Sequence, residues 1–471
     1  MCFGGVILEM YLTKRILTYK LDNDNILLIN TISGAFDVID EETKNKIDSL
    51  NMGISEMEVN DPELLHQLRE RKYIFKDKQE ELLAIEQYRR INAELIRRKS
   101  KRNFTICPTM GCNLRCTYCF EEEKSHKNMK VLSDSQLQTI FKYILENKNQ
   151  SERINDKQPI TISLFGGEPL LKGNYDIVKQ VFEFARNNEI IVKVITNGTT
   201  IKFYSELLQQ YPEVLLQITV DGNKKIHDKR RIRADGTGSF DKICEGIEEL
   251  IKIKVVTRLR INIDKENFKH IGELIEFIKE KKWVETGYVI PYISPVLDFF
   301  DSNGLVFSES ELYQNILKYI PDFGTEKCII KNIVSPVIGY LMTFLNLEDT
   351  VKPWKLHYCE ATSGENLIFS PDGCITTCLL ATGKEKNTIG KFDNNGVYLN
   401  KDDVELWFNR TIFRIPKCKE CKYALLCGGG CPIASLEVNN DIDCPICSDI
   451  EKTLDVYINA NKEKLLSKIG I

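Results

Sequence analysis

Three cysteines stand on one short stretch, Cys112-Asn-Leu-Arg-Cys116-Thr-Tyr-Cys119-Phe120. Thiolates are soft ligands that favour iron–sulfur clusters or zinc, and a closed protein site of either kind normally takes four of them. Three thiols on one loop can hold three irons of a four-iron cluster and leave the fourth iron open to another molecule. Cys107 lies too far outside the pattern to be an obvious fourth ligand. The alternative reading is a structural zinc knuckle, or buried thiols that cluster by chance.

A second set follows near the C-terminal end: Cys359, Cys378, then Cys418-x2-Cys421-x5-Cys427-x3-Cys431, and Cys444 and Cys447. Paired cysteines of this kind also occur in zinc ribbons, but zinc alone leaves the open three-cysteine loop unexplained. The chain has 16 cysteines in 471 residues. Their clustering in a long chain without an export pattern points to metal sites, not disulfides. Cys107 and Cys244 read as small core residues and Cys2 as incidental. The five histidines show no ligand spacing.

These groups need a scaffold, and the pattern from Phe104 to about Tyr292 supplies one. Strand-like runs (Asn103 to Pro108, Ile160 to Phe165, Ile191 to Thr196, Leu215 to Val220, Val256 to Ile263) alternate with helical ones at 174–187, 201–210, 240–252 and 268–281. Repeated β/α alternation predicts a parallel sheet, closed or nearly closed into a barrel, with functional groups on the loops after the strands. The cysteine loop follows the first strand. Gly166-Gly167-Glu168-Pro169 follows the second, its glycines allowing close backbone approach to a ligand and its proline stopping the strand. Thr196-Asn197-Gly198-Thr199 and Thr219-Val220-Asp221-Gly222 end the next two strands on the same rim. Each of these turns could equally be an ordinary polar turn.

Basic residues (64) and acidic residues (68) nearly cancel, giving a net charge of −4. That disfavours a phosphate-backbone partner, so no nucleic acid is expected. No long apolar run and no signal-peptide pattern occurs, so the expectation is a cytoplasmic protein without a membrane association.

The three-cysteine loop together with the Gly-Gly-Glu-Pro turn resembles the radical S-adenosylmethionine (SAM) superfamily. The resemblance implies a partial (β/α)6 TIM-like barrel, and a [4Fe-4S] cluster on Cys112, Cys116 and Cys119 that SAM chelates through its amino and carboxylate groups. It implies SAM contacts from Tyr118, Gly166, Gly167, Glu168, Pro169, Asn197, Thr219 and Arg231. The stretch His227-Asp228-Lys229-Arg230-Arg231 is familiar from peptide-modifying members. The later cysteines resemble the SPASM domain, an extension that carries two auxiliary [4Fe-4S] clusters in peptide and protein maturases. By that resemblance Cys359, Cys378 and Cys431 serve the first, and Cys418, Cys421, Cys427 and a final cysteine the second. Cys444 is preferred to Cys447 there, because Cys-Pro before a helix is the form of related maturases. The first auxiliary set lacks its usual upstream cysteine, a place open to Cys374, Cys328, water or a substrate thiol.

The expected organisation is a small α+β, winged-helix-like domain over 1–77 as a candidate leader-peptide recognition element, and a solvated helical connector over 78–102. The barrel follows over 103–307, a helical bridge over 308–355, the SPASM domain over 356–450 and a C-terminal helix over 451–471. Met10 is an alternative start, since Met1 to Glu9 contains no recognisable element.

The chemistry implied is reductive cleavage of SAM to a 5′-deoxyadenosyl radical that abstracts hydrogen from an unactivated carbon, with an auxiliary cluster accepting the electron released on bond formation. Anaerobic sulfatase maturases carry an Asp base directly after the cysteine corresponding to Cys378, where this chain has Leu379, and they lack a sizeable module before the cysteine loop. The expected function is therefore oxidative thioether crosslinking of a leader-bearing peptide, supplied with electrons by a donor such as flavodoxin or ferredoxin. Sulfatase maturation, carbon–carbon crosslinking and epimerisation are the alternatives within the family; a non-catalytic iron–sulfur electron carrier is the alternative outside it. The general base, the peptide and the oligomeric state are not assigned.

Overall fold

The computed structural model describes residues 10–22, 24–51, 60–99, 102–121, 130–153, 159–298, 304–323, 325–344 and 354–469. Met1 to Glu9, with Cys2, and Ser100-Lys101 of the basic run lie outside them. Among the described residues no helix is long and apolar enough to cross a membrane.

Two sequence periods build the central sheet. Helix Phe240–Lys252 buries Phe240, Ile243, Cys244, Ile247 and Leu250, a single face at spacings of three and four. Strand Thr257–Ile263 alternates instead: Leu259, Ile261 and Ile263 join the core, and Arg258, Arg260 and Asn262 share the other face. Six such strands, Arg102–Ile106, Ile160–Leu164, Ile191–Thr196, Leu215–Thr219, Thr257–Ile263 and Val289–Pro295, lie parallel in chain order. Parallel neighbours require crossovers, and helices Asp134–Arg153, Tyr175–Asn187, Ile201–Gln210, Phe240–Lys252 and Ile271–Glu280 fill them.

The sheet does not close on itself. Its sixth strand pairs with Asn332–Ile333 and its first with Asn366–Phe369, both in parallel. Strands Cys374–Thr376, Gly390–Phe392 and Val397–Leu399 then continue it antiparallel into the cysteine-rich region. A buried polar seam fixes this junction. Asn366 Oδ1 accepts from Asn103 Nδ2 at 2.8 Å and from the Thr105 hydroxyl at 3.1 Å, while Asn103 Oδ1 accepts from the hydroxyls of Thr161 and Ser163. Each polar group in the seam has a partner, as burial demands.

Three expectations change. Segment 308–355 is not wholly helical: helices Glu309–Tyr319 and Ile338–Phe344 flank the strand Asn332–Ile333, and 345–353 lie outside the described residues. The C-terminal helix is two, Ile450–Ala460 and Lys462–Ile469. Helix Lys78–Lys99 is no solvated connector, because Glu81, Ala84, Ile85 and Asn92 form a buried face hidden among its charges. Glu81 accepts from the Thr13 hydroxyl, Asn92 Oδ1 from the Trp354 backbone at 2.5 Å, and the Tyr88 ring lies 5.7 Å from Trp354.

Before that helix, strands Ile16–Lys20, Ile26–Asn30 and Phe36–Ile39 form an antiparallel sheet whose middle strand is wholly buried. Helices Glu41–Asn51 and Pro62–Glu70 cover it, and Ile74–Phe75 pairs with Tyr11–Leu12. This α+β unit docks on the cysteine-rich region. Arg15 donates to the carbonyls of Cys421 and Lys419, the Thr31 hydroxyl to that of Lys422, and the Trp354 indole to that of Ile32.

Candidate functional site

The cysteine loop is pinned on two sides. Leu114–Cys116 pairs antiparallel with Arg231–Arg233. Opposite, Gly167 N donates to Thr109 O at 3.1 Å and Glu168 N to Gly111 O at 2.9 Å. A Cβ on Gly167 would stand 2.3 Å from the carbonyl oxygens of Met110 and Gly111, and one on Gly166 (φ +117) 2.4 Å from Thr109 O. The glycines therefore allow close approach to the cysteine loop's own backbone. Glu168 is a brace as well: its carboxylate accepts from Leu170 N, the Thr196 hydroxyl and Asn197 N at 2.6–2.8 Å, and burial raises its pKa.

A cavity of about 330 Å³ opens beside this loop, within the range of small-molecule sites. Cys112, Cys116, Cys119, Tyr118, Gly166, Gly167, Glu168, Asn197, Thr219 and Arg231 all line it. Pro169 does not; it is buried in the turn, where its carbonyl accepts from Asn174 Nδ2. Asn197 Nδ2 lies 3.9 Å from Cys112 Sγ and 2.8 Å from Asn113 Oδ1. The Tyr118 hydroxyl accepts from Arg231 Nη1 at 2.8 Å and Asn262 Nδ2 at 3.1 Å, and donates to Asp221. Burial works against the Arg231 charge, but Cys116, Tyr118 and Asp221 around it outweigh that and hold it firmly cationic.

Among the described residues no three Cys, His, Asp or Glu side chains converge on a single ion-sized point. Residues in the first thiol set nevertheless feel one another. Burial, then Glu168, then Cys116 and Cys119 push Cys112 up to about 12, and burial pushes Cys119 up to about 11. Such thiols become thiolates only when a cation replaces their protons. Arg231 Nε is buried without a partner, which fits a cavity that takes an anionic group such as a carboxylate. The donor chemistry thus suits a thiolate-bound cluster with an amino-acid ligand beside it.

The cysteine-rich region forms two further thiol groups. Burial, then Cys359 and Cys431, raise Cys378; burial, then Cys427, Cys421 and Cys447, push Cys418 up to about 12. Of the two candidates for the final place in the second group, Cys447 is the one whose charge weighs on Cys418; both Cys444 and Cys447 are exposed. The two cysteines left open, beside water or a substrate thiol, for the remaining place in the first group each have partners of their own. The Cys328 thiol donates to Ile330 O, and Cys374 sits on its strand facing Asp372 and Lys391. Gly428, Gly429 and Gly430, all at positive φ, join Cys427 of one group to Cys431 of the other. The buried Arg410 guanidinium holds that run, donating to the carbonyls of Gly429, Gly430 and Ile442 at 2.6–2.9 Å.

Sequence reasoning missed Gln217, Arg260, Asn262 and Leu380 in the cavity wall. The polar alternation Arg258, Arg260, Asn262 in an otherwise apolar strand was the available signal for two of them. A second chamber of about 500 Å³ adjoins the first, sharing Tyr118, Cys119, Phe120, Val296, Leu297 and Leu380, and reaches Lys384 and Glu437 of the cysteine-rich region. His227 is not a ligand. Its Nδ1 accepts from Asp221 N at 3.2 Å and its Nε2 faces Ser239 Oγ at 3.0 Å, and burial, with Arg231 and Arg230 near it, keeps it neutral.

The model of the radical SAM superfamily matches residues 106–278. The cysteine-type anaerobic sulfatase-maturating enzyme of Clostridium novyi is 30% identical over 345 residues, 68% of this chain and 85% of that protein. The radical SAM cyclopropyl synthase TigE of Paramaledivibacter caminithermalis is 22% identical over 459 residues, 90% of this chain and 89% of that protein. Streptococcus suis SuiB bound to its precursor peptide SuiA superposes with a TM-score of 0.53 at 16% identity, covering 94% of this chain and 99% of that one.

Proposed function

Because this chain belongs to the radical SAM superfamily, whose enzymes work with a [4Fe-4S] cluster and SAM, we propose that it matures a ribosomally made peptide by oxidative thioether crosslinking of a cysteine sulfur to a carbon of another residue. Cys112, Cys116 and Cys119 would hold the cluster and the 330 Å³ cavity SAM; together they supply a radical that removes hydrogen from an unactivated carbon.

The chain's own residues aim and shield. Phe120 stacks on Phe165 at 6.4 Å and 7°, and Val296, Leu297 and Leu380 continue an apolar lip where the two chambers meet. Such a lip keeps water from a reactive centre. The second chamber takes the peptide. Arg230, held by Asp264 at 2.5 Å and by Asp221 at 3.6 Å, lies with its guanidinium 4.9 Å from the Tyr118 ring and forms part of that chamber's wall. Cys359, Cys378 and Cys431, and Cys418, Cys421, Cys427 and Cys447, are the proposed ligands of two auxiliary clusters. The N-terminal α+β unit is the proposed leader grip.

Leu379 carries the choice of reaction. It packs with Cys107, Met110, Ile368 and Phe165 at the cavity wall, an apolar side chain where sulfatase maturases place a carboxylate. The 30% identity to a cysteine-type sulfatase-maturating enzyme favours a second reading, oxidation of a cysteine side chain in a sulfatase-type peptide. Anaerobic incubation of the reconstituted enzyme with a leader-bearing cysteine peptide should remove two hydrogens per thioether and move deuterium from the attacked carbon into deoxyadenosine. Turnover of a sulfatase-type peptide instead decides for the second reading.

A further inference from the structure

A third concavity, of about 570 Å³, shares no wall residue with the two chambers. Four cations stand around it, Lys172, Lys202, Arg233 and Lys242, with a single carboxylate in its wall, Glu245. Lys202 and Lys242 both lean on that carboxylate, at 3.1 and 3.4 Å, and Arg233 meets Asp235 at 3.3 Å. Lys172 lies over the ring of Phe203, which is 46% exposed. In a chain of net charge −4 this is a local positive field.

The floor of the concavity leads to the first thiol set in short steps. Thr199 Oγ1 in its wall accepts from Asn113 Nδ2 at 2.9 Å, Asn113 Oδ1 accepts from Asn197 Nδ2 at 2.8 Å, and that nitrogen is 3.9 Å from Cys112 Sγ. Substrate and SAM chambers open elsewhere, so an occupant here would block neither. We propose that this concavity docks an acidic protein carrying a one-electron centre, which reduces the cluster on Cys112, Cys116 and Cys119. The inference rests on the reading of those thiols as cluster ligands. The donor loses one electron, the cluster passes from its 2+ to its 1+ state, and no bond is made or broken. Charge complementarity with an exposed ring in the wall suits an association that must be fast and brief, since steering raises encounter rates without demanding tight binding.

The test is stopped-flow bleaching of the cluster absorbance by reduced flavodoxin, an acidic flavin protein, in the wild type and in the double variant K202E/K242E. The expected result is a bimolecular rate at least about tenfold lower in the variant at low salt, converging with wild type as salt rises. Reduction by a small uncharged photoreductant should be equal in both, showing an intact cluster. Equal flavodoxin rates overturn the proposal, as does a loss seen with K386E/K391E in the cysteine-rich region in place of K202E/K242E. Absence of any cluster absorbance in the wild type would instead overturn the reading of the thiols.

Discussion

Arg410→Met removes a fully buried guanidinium that binds three carbonyls, those of Gly429, Gly430 and Ile442. Hydrogen bonds from a charged donor are worth about 1.5–3 kcal/mol each, so three amount to about 5–9 kcal/mol. Against that stands the several kcal/mol it costs to bury a cation, a cost visible in the downward pull of burial on the Arg410 pKa. The net loss is about 3 kcal/mol, because three buried carbonyls are left without donors. With an unfolding entropy of about 2.1 cal/mol/K per residue, a chain of 471 residues shifts by about 1 °C per kcal/mol, so the thermal midpoint of the anaerobically reconstituted protein should fall by about 3 °C. The damage is also local. Gly428–Gly430 at positive φ joins Cys427 to Cys431, so iron content should drop toward that of the first cluster alone while SAM binding persists. Calorimetry and iron analysis on the same samples read both. A midpoint within about 1 °C of wild type with unchanged iron would refute the assignment of Arg410 as the clamp of that run.

Gly167→Ala drives a methyl group against two backbone carbonyls at 2.3 Å, overpacking that costs at least about 1–3 kcal/mol; the expected outcome is loss of the SAM-dependent change in the cluster's paramagnetic spectrum. Cys447→Ser should lower iron content by close to one cluster and Cys444→Ser should leave it unchanged, as measured by iron and sulfide analysis. His227 is held neutral in the fold, so below the unfolded value near 6.5 the unfolded chain binds the extra proton and stability falls with pH. The slope should reach about 1.4 kcal/mol per pH unit, be absent above pH 7, and shrink in H227Q, as urea denaturation at pH 5–7.5 would show.

What could be read in the sequence was what short spacing encodes. The cysteine triplet, the turn at 166–169 and the strand periods are each short, and Cys112, Cys116, Cys119, Gly166, Gly167 and Glu168 line one cavity while Pro169 does not. Long-range pairings were not legible. Asn103 meets Asn366 across 263 positions, and nothing local in Asn-Leu-Ile-Phe says that this strand extends the barrel's sheet. The buried face of helix Lys78–Lys99 was masked by its charges, since Glu81 and Asn92 are polar residues that tertiary partners make inward-facing. Cys444 and Cys447 stand three residues apart on one irregular segment, and spacing does not choose between them.

The pairing of Asn366–Phe369 with Arg102–Ile106 has a mechanical consequence. A hydrogen-bonded ladder joins the layer that bears the first three-cysteine loop to the layer that bears the later thiols, so the latter is tied to the sheet by main chain and is no hinged cover. The separation between the two thiol-bearing layers is then fixed by backbone, and whatever enters the first cavity passes Leu297 and Leu380 in its wall.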